Sequence, residues 1–110
     1  SVGGGVLIHQ FCKVGSHVFV GGGYRIVQDV PPFIRAAKDP LEYSGINSTG
    51  LQRRGFSQKE RNTIKKFYRY YFRSELTRTA ALEKAEHEFS SDPYIKKILE
   101  FIYSSERGII

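Results

Sequence analysis

Aliphatic residues recur at six-residue intervals over the opening stretch: Val2, Ile8, Val14, Val20 and Ile26. Glycine follows three of them, at Gly3, Gly15 and Gly21. The position four further on is small and apolar in Val6, Cys12, Val18 and Val30, with Tyr24 the exception. A period of six matches neither the 3.6 of a helix nor the 2 of a hairpin sheet. It suits a chain that turns a corner every six residues, with the aliphatic side chain inward and glycine easing the bend. Three such faces close one triangular turn of about eighteen residues, which predicts the stacked coils of a parallel β-helix. The repeats run out after Ile26 and Val30, so fewer than two turns are expected.

Val30-Pro31-Pro32-Phe33 breaks the pattern, because prolines remove backbone donors and fix φ. Residues 33–50 read as an extended or looped connection, with turn chemistry at Lys38-Asp39-Pro40 and Asn47-Ser48-Thr49-Gly50. The loop is expected to continue through Leu51–Phe56, which places Arg53 and Arg54 outside any helix. Helical periodicity then begins. Ser57 and Glu60 form a capping box, and Ile64, Phe67, Tyr68, Tyr71 and Phe72 share one stripe of a helix from Gln58 to about Ser74. Thr77 or Thr79 can cap a second helix, carrying Ala81, Leu82, Ala85 and Phe89. Ser91 can cap a third, with Asp92 and Pro93 in its first turn. The expected fold class is therefore mixed β and α: the last coils of a β-helix and an exit loop over 1–50, then a small α-helical domain over 51–110.

At 110 residues the chain is domain-sized, yet it carries no methionine. It is therefore expected to be the C-terminal portion of a longer protein. Hydrophobic residues at 40% and charged residues at 25% are ordinary for a soluble globular protein. No apolar run approaches the ~20 residues of a membrane span. A lone Cys12 excludes an internal disulfide and a cysteine zinc cluster, and makes a reducing cytoplasm the default. The net charge of +6 is unevenly placed. Arg53, Arg54, Lys59, Arg61, Lys65, Lys66, Arg69 and Arg73 face only Glu60 in the same stretch, which favours either an acidic partner or a solvated helix face.

Several runs coincide with one family. They are Ile8-His9-Gln10-Phe11-Cys12, Val14-Gly15-Ser16-His17-Val18, Val20-Gly21-Gly22, Gln28-Asp29-Val30-Pro31-Pro32, Asn47, Gly50-Leu51, Arg53-Arg54-Gly55-Phe56-Ser57 and the closing Ser105-Glu106-Arg107-Gly108-Ile109. In this order they resemble the C-terminal portion of the UDP-N-acetylglucosamine acyltransferases of lipid A biosynthesis. The resemblance implies a left-handed β-helix, a cytoplasmic homotrimer, and sites between adjacent subunits for acyl carrier protein and UDP-N-acetylglucosamine. It implies transfer of a 3-hydroxyacyl chain to the glucosamine 3-hydroxyl with a histidine general base and a backbone oxyanion site, and no metal or other cofactor. That histidine lies about two coils before the matching segment, so no residue here is assigned catalysis and the chain alone is expected to be inactive. A histidine common in the family between the proline pair and the asparagine is replaced here by Lys38-Asp39-Pro40-Leu41.

Carried over residue by residue, the resemblance puts His9 and Gln10 at the active-site cleft, with Gln10 on the nucleotide sugar. The alternative is a surface pair bonded across the trimer. Asn47 falls near the uridine end, and Arg53 and Arg54 meet phosphate, of the UDP-sugar or of the carrier's phosphopantetheine arm. Gly22 falls at the distal end of the acyl groove, where side-chain volume limits chain length. Lys59, Arg61, Lys65, Lys66, Arg69 and Arg73 form the carrier-docking field. For His17 only trimer packing is expected, and His87 reads as an exposed helical residue. Gly21-Gly22-Gly23 lacks the lysine and the strand–helix context of a phosphate loop. The rival readings are a related N-acyltransferase of lipid A synthesis and, from the basic stretch, a nucleic-acid-binding helical module. The aromatic stripe of the helix looks like core rather than a stacking platform, so no nucleic-acid partner is expected.

Overall fold

The computed structural model describes residues 3–5, 7–8 and 12–110. The inward positions Val2 and Val6, and the pair His9 and Gln10, lie outside the described residues. Five short strands come first: β1 (Leu7–Ile8), β2 (Phe19–Val20), β3 (Arg25–Ile26), β4 (Ile34–Ala37) and β5 (Glu42–Ile46). Four helices follow: α1 (Ser48–Arg53), α2 (Gln58–Phe72), α3 (Arg78–Glu88) and α4 (Pro93–Tyr103).

The six-residue period does build parallel coils. Leu7 and Ile8 of β1 pair in parallel with Arg25 and Ile26 of β3, eighteen positions on. A parallel bridge joins Val14 to Val30, and β2 pairs with β4 through Phe19↔Arg35 and Val20↔Ala36. Val18, Val20, Ile26, Val30, Ile34 and Ala36 are buried between the faces. Ile8 departs from the inward expectation, being 50% exposed. Among the described residues it has a coil neighbour, Ile26, on one side only.

The later pairings are offset by sixteen residues rather than eighteen, so the coil does not end at Val30 but shortens by two and continues through β4. The physical reason is proline. A strict six-residue count would set Pro32 beside Val14, yet the ladder there needs an N–H donor. Val30 supplies it, donating to the Lys13 carbonyl at 2.9 Å while its own carbonyl accepts from Gly15 at 2.8 Å. The segment expected to be a looped connection is then an antiparallel hairpin, β4 against β5, turning at Lys38-Asp39-Pro40.

Two further expectations are corrected. Residues 48–53 form a helix rather than a loop, because Asn47 caps it through the Gly50 N–H at 3.2 Å. Arg53 is thus the last helical residue and Arg54 its C-cap. The third expected helix is capped by Asp92, not Ser91: one carboxylate oxygen accepts from Tyr94 and Ile95 at 2.9 and 3.0 Å, with Pro93 in the first helical position. The other caps follow the sequence. Ser57 and Glu60 exchange bonds of 3.0 and 2.7 Å, and Thr77 caps α3.

One hydrophobic cluster runs through both parts, from Val18, Phe33 and Ile34 to Ile64, Phe67, Tyr68, Ile95 and Ile98. Each fully buried side chain of this size contributes ~1.5–3 kcal/mol. The boundary drawn at residue 50 falls inside α1. Tyr68, wholly buried on α2, donates its hydroxyl to the Pro32 carbonyl at 2.6 Å and so fixes the helices to the coil exit. The tail closes the joint: Asp29 and Ile109 form a parallel bridge, and Arg78 donates to the carbonyls of Ile109 and Ile110.

Candidate ligand cavity and basic face

On the outer side of the coil the β2–β4 register sets Phe19 beside Arg35, both pointing away from the buried Val20 and Ala36. The Arg35 guanidinium lies 5.7 Å from the centre of the Phe19 ring. Across from this pair stands α1. Together they border a half-open cavity of about 380 Å³ lined by Phe19, Arg35, Ile46, Asn47, Ser48, Thr49, Gly50 and Arg53. Two residues assigned from the sequence, Asn47 and Arg53, are therefore brought together. Arg35 and Phe19 also line the cavity and were not singled out in the sequence. The signal that could have found them is the outward position they share one coil apart, which the shortened coil concealed from a six-residue count.

Asn47 does more than face this cavity. Its carbonyl oxygen caps α1, and its amide donates to the His17 carbonyl at 3.0 Å, tying the helix start to the coil corner. A Cβ at Gly50 would collide with the Asn47 side-chain nitrogen, so glycine is required for this arrangement. The amide keeps one N–H and one lone pair for a ligand.

His17 stacks on Phe33 at 5.7 Å and meets Phe56 edge-on at 5.4 Å. Part of its surface is thus packed inside the chain, and the rest stays exposed. Burial, followed by the Arg54 and Lys97 charges, holds its imidazole below the ordinary 6.5. Arg53 lines the cavity, whereas Arg54, the exposed C-cap of α1, is not among its lining residues.

Gly22 sits exposed at a coil corner. A Cβ there would lie 2.5 Å from the Gly4 carbonyl oxygen of the adjacent coil. Close backbone approach thus requires glycine, whatever else the position does.

The expected docking residues fall on α2. Its buried stripe is Ile64, Phe67, Tyr68 and Tyr71, and its opposite face carries Lys59, Lys65, Lys66, Arg69 and, at the C-cap, Arg73, all exposed. They are not equivalent. Lys66 pairs with Glu88 at 3.3 Å, and that bond raises its pKa. Arg73 lies 4.8 Å over the Tyr43 ring. Arg61, half-buried at the side of the helix, donates to the Phe56 carbonyl. Lys59, Lys65 and Arg69 have no carboxylate partner among the described residues. His87 is exposed near the end of α3. No helix of the described residues is long and apolar enough to cross a membrane.

Parallel coils with an aliphatic core at six-residue steps, closed by a helical cap with one basic face, define a hexapeptide-repeat protein. The sequence profile described as UDP N-acetylglucosamine O-acyltransferase, domain 2, matches residues 29–110. The chain belongs to that family. It is 42% identical over 113 residues to the acyl-[acyl-carrier-protein]–UDP-N-acetylglucosamine O-acyltransferase of Herminiimonas arsenicoxydans, covering 99% of this chain and 43% of the relative. The protein of the same name from Aliivibrio salmonicida is 41% identical over 103 residues, covering 94% of this chain and 39% of the relative. The crystal structure of the UDP-N-acetylglucosamine acyltransferase from Bacteroides fragilis superposes with a TM-score of 0.95 at 47% identity, covering 99% of this chain and 43% of that one. The Arabidopsis UDP-N-acetylglucosamine acyltransferase gives a TM-score of 0.87 at 33% identity, covering 98% of this chain and 41% of that one. The chain spans about two fifths of the length of the curated relatives it matches.

Proposed function

We propose that this chain is the C-terminal portion of an O-acyltransferase that moves a 3-hydroxyacyl group from acyl carrier protein to the 3-hydroxyl of UDP-N-acetylglucosamine. The observation that carries the reading is the convergence of Asn47 and Arg53 on one cavity beside the coil, within a chain of this family. Asn47 offers a donor and an acceptor to a base or sugar edge. Arg53 offers a planar fork of donors that fits a phosphate bidentately. The coils continue as a left-handed β-helix, three copies pack around a common axis in the cytoplasm, and His9 and Gln10 are assigned to substrate binding. The helical part from about residue 51 serves as the carrier-binding domain, its α2 face meeting an acidic partner.

In this reading the general base belongs to coils preceding residue 1. It takes the proton of the sugar 3-hydroxyl, the oxygen attacks the thioester carbonyl, and collapse of the tetrahedral adduct expels the carrier thiolate. The residues described here hold the nucleotide sugar and the carrier in place during that step. The nucleic-acid reading needs exposed aromatic side chains among the arginines, whereas Phe67, Tyr68 and Tyr71 are core.

The test is transfer by the protein as its gene encodes it, with a 3-hydroxyacyl carrier protein and radiolabelled UDP-N-acetylglucosamine. Labelled acyl-sugar nucleotide is expected, and Arg53→Ala should raise the KM for the sugar nucleotide by about tenfold or more, the loss of a charged hydrogen bond. No transfer with any acyl chain length overturns the proposal.

A further inference from the structure

Arg35 and Arg53 line the same 380 Å³ cavity, and neither has a carboxylate partner among the described residues. No Asp or Glu lines that cavity either. Two guanidinium groups sharing an uncompensated concavity repel each other until an anion enters, and a planar fork on each side matches the oxygens of a phosphate ester. They arrive from different elements. Arg53 comes from the end of α1, whereas Arg35 projects from β4 on the outer face of the coil, its guanidinium held over the Phe19 ring. Stacking on that ring limits the rotamers of a long side chain, so less freedom is lost when an anion binds.

We propose that Arg35 is a ligand-binding residue that closes a two-arginine clamp with Arg53 on a phosphate ester. This rests on the cavity assignment above and adds a residue lying outside the Arg53-Arg54 pair. Two ligands carry the required chemistry, the diphosphate of the nucleotide sugar and the phosphate of the carrier's pantetheine arm.

Calorimetric titration of the protein as encoded, with UDP-N-acetylglucosamine in one arm and 4′-phosphopantetheine in the other, tests it. Arg35→Ala should weaken one of the two by about tenfold or more. Arg35→Lys should recover part of the loss, since it keeps the charge without the fork. The double variant with Arg53→Ala should lose less than the sum of the single losses, because both groups grip one phosphate. Arg35 is exposed, so the melting temperature should hold, and binding of uridine, which lacks phosphate, should be unchanged. If Arg53→Ala weakens binding and Arg35→Ala does not, the clamp is overturned while the cavity assignment stands. If neither substitution matters, or neither ligand binds the unsubstituted protein, both fall.

Discussion

The carboxylate of Asp29 accepts a hydrogen bond from the Ser105 hydroxyl at 2.6 Å, although 76 positions separate the two residues. Its other oxygen accepts from the Lys13 N–H at 2.6 Å. The Asp29 backbone donates to Gly108 at 2.8 Å and accepts from Ile110 at 3.1 Å. This one buried residue thus joins the first described coil, the coil exit and the tail. Two sequence runs that each resemble the family, Gln28-Asp29-Val30-Pro31-Pro32 and Ser105-Glu106-Arg107-Gly108-Ile109, are binding partners.

Removing that carboxylate takes the acceptor from two part-buried donors, the Lys13 N–H and the Ser105 hydroxyl. Asp29→Ala is expected to destabilise the fold by about 1–3 kcal/mol for each donor left unpaired, and Asp29→Asn by less, because its amide oxygen still accepts. Denaturant unfolding of the two variants measures the difference. Equal stability of Asp29→Ala and the parent would show that the tail is not held this way.

Stability should also respond to pH through His17. The unfolded imidazole takes up a proton near 6.5, whereas burial, Arg54 and Lys97 keep the folded one neutral to lower pH. The stabilisation is therefore complete above 6.5 and is lost as the pH falls below it through the folded value. An NMR titration of the His17 ring should give a pKa below 6.5, and Arg54→Ala should move it upward. A midpoint at or above 6.5 would remove the argument.

The α2 face should act through charge. Lys59→Glu, Lys65→Glu and Arg69→Glu are each expected to slow association with acyl carrier protein by up to about tenfold at low salt. Lys66→Glu should slow it to a similar degree, since it makes the same two-unit change in charge and also releases Glu88 from its pair. Stopped-flow association across a salt series reads both effects. Rates indifferent to salt and to charge reversal would place the carrier elsewhere.

Gly22 is expected to report on two things at once. In the encoded enzyme Gly22→Met should shift transfer toward shorter acyl chains. It should also lower the melting temperature, because its Cβ would press on the Gly4 carbonyl; such overpacking costs about 1–3 kcal/mol. Competition between acyl-carrier substrates of different length measures the first effect and calorimetry the second. An unchanged chain preference would remove Gly22 from the acyl groove.

The sequence disclosed what repeats and what periodicity can show. The inward places of Val14, Val18, Val20, Ile26 and Val30 follow from a count of six, and the buried stripe of α2 from a count near 3.6. What escaped were features set by one local exception or by distant contact. The coil continues past the prolines because Val30 supplies the N–H that Pro32 lacks, a choice visible only once the strands are paired. Helix α1 holds six residues with Gly50 inside, too short for a periodic signal, and depends on the Asn47 cap. Asp92 displaces Ser91 because its carboxylate reaches two N–H groups at once. Arg35 looked like one more charge in a loop until Phe19 was placed beside it.

The shared bridge between residue 29 and the tail has a consequence for synthesis. The ribosome adds 76 residues between Asp29 and Ser105, so the coil exit is made well before its tail partners emerge. Contacts of such long sequence separation form late. Until then the last coil exposes an unpaired strand edge, open to capture by another nascent chain.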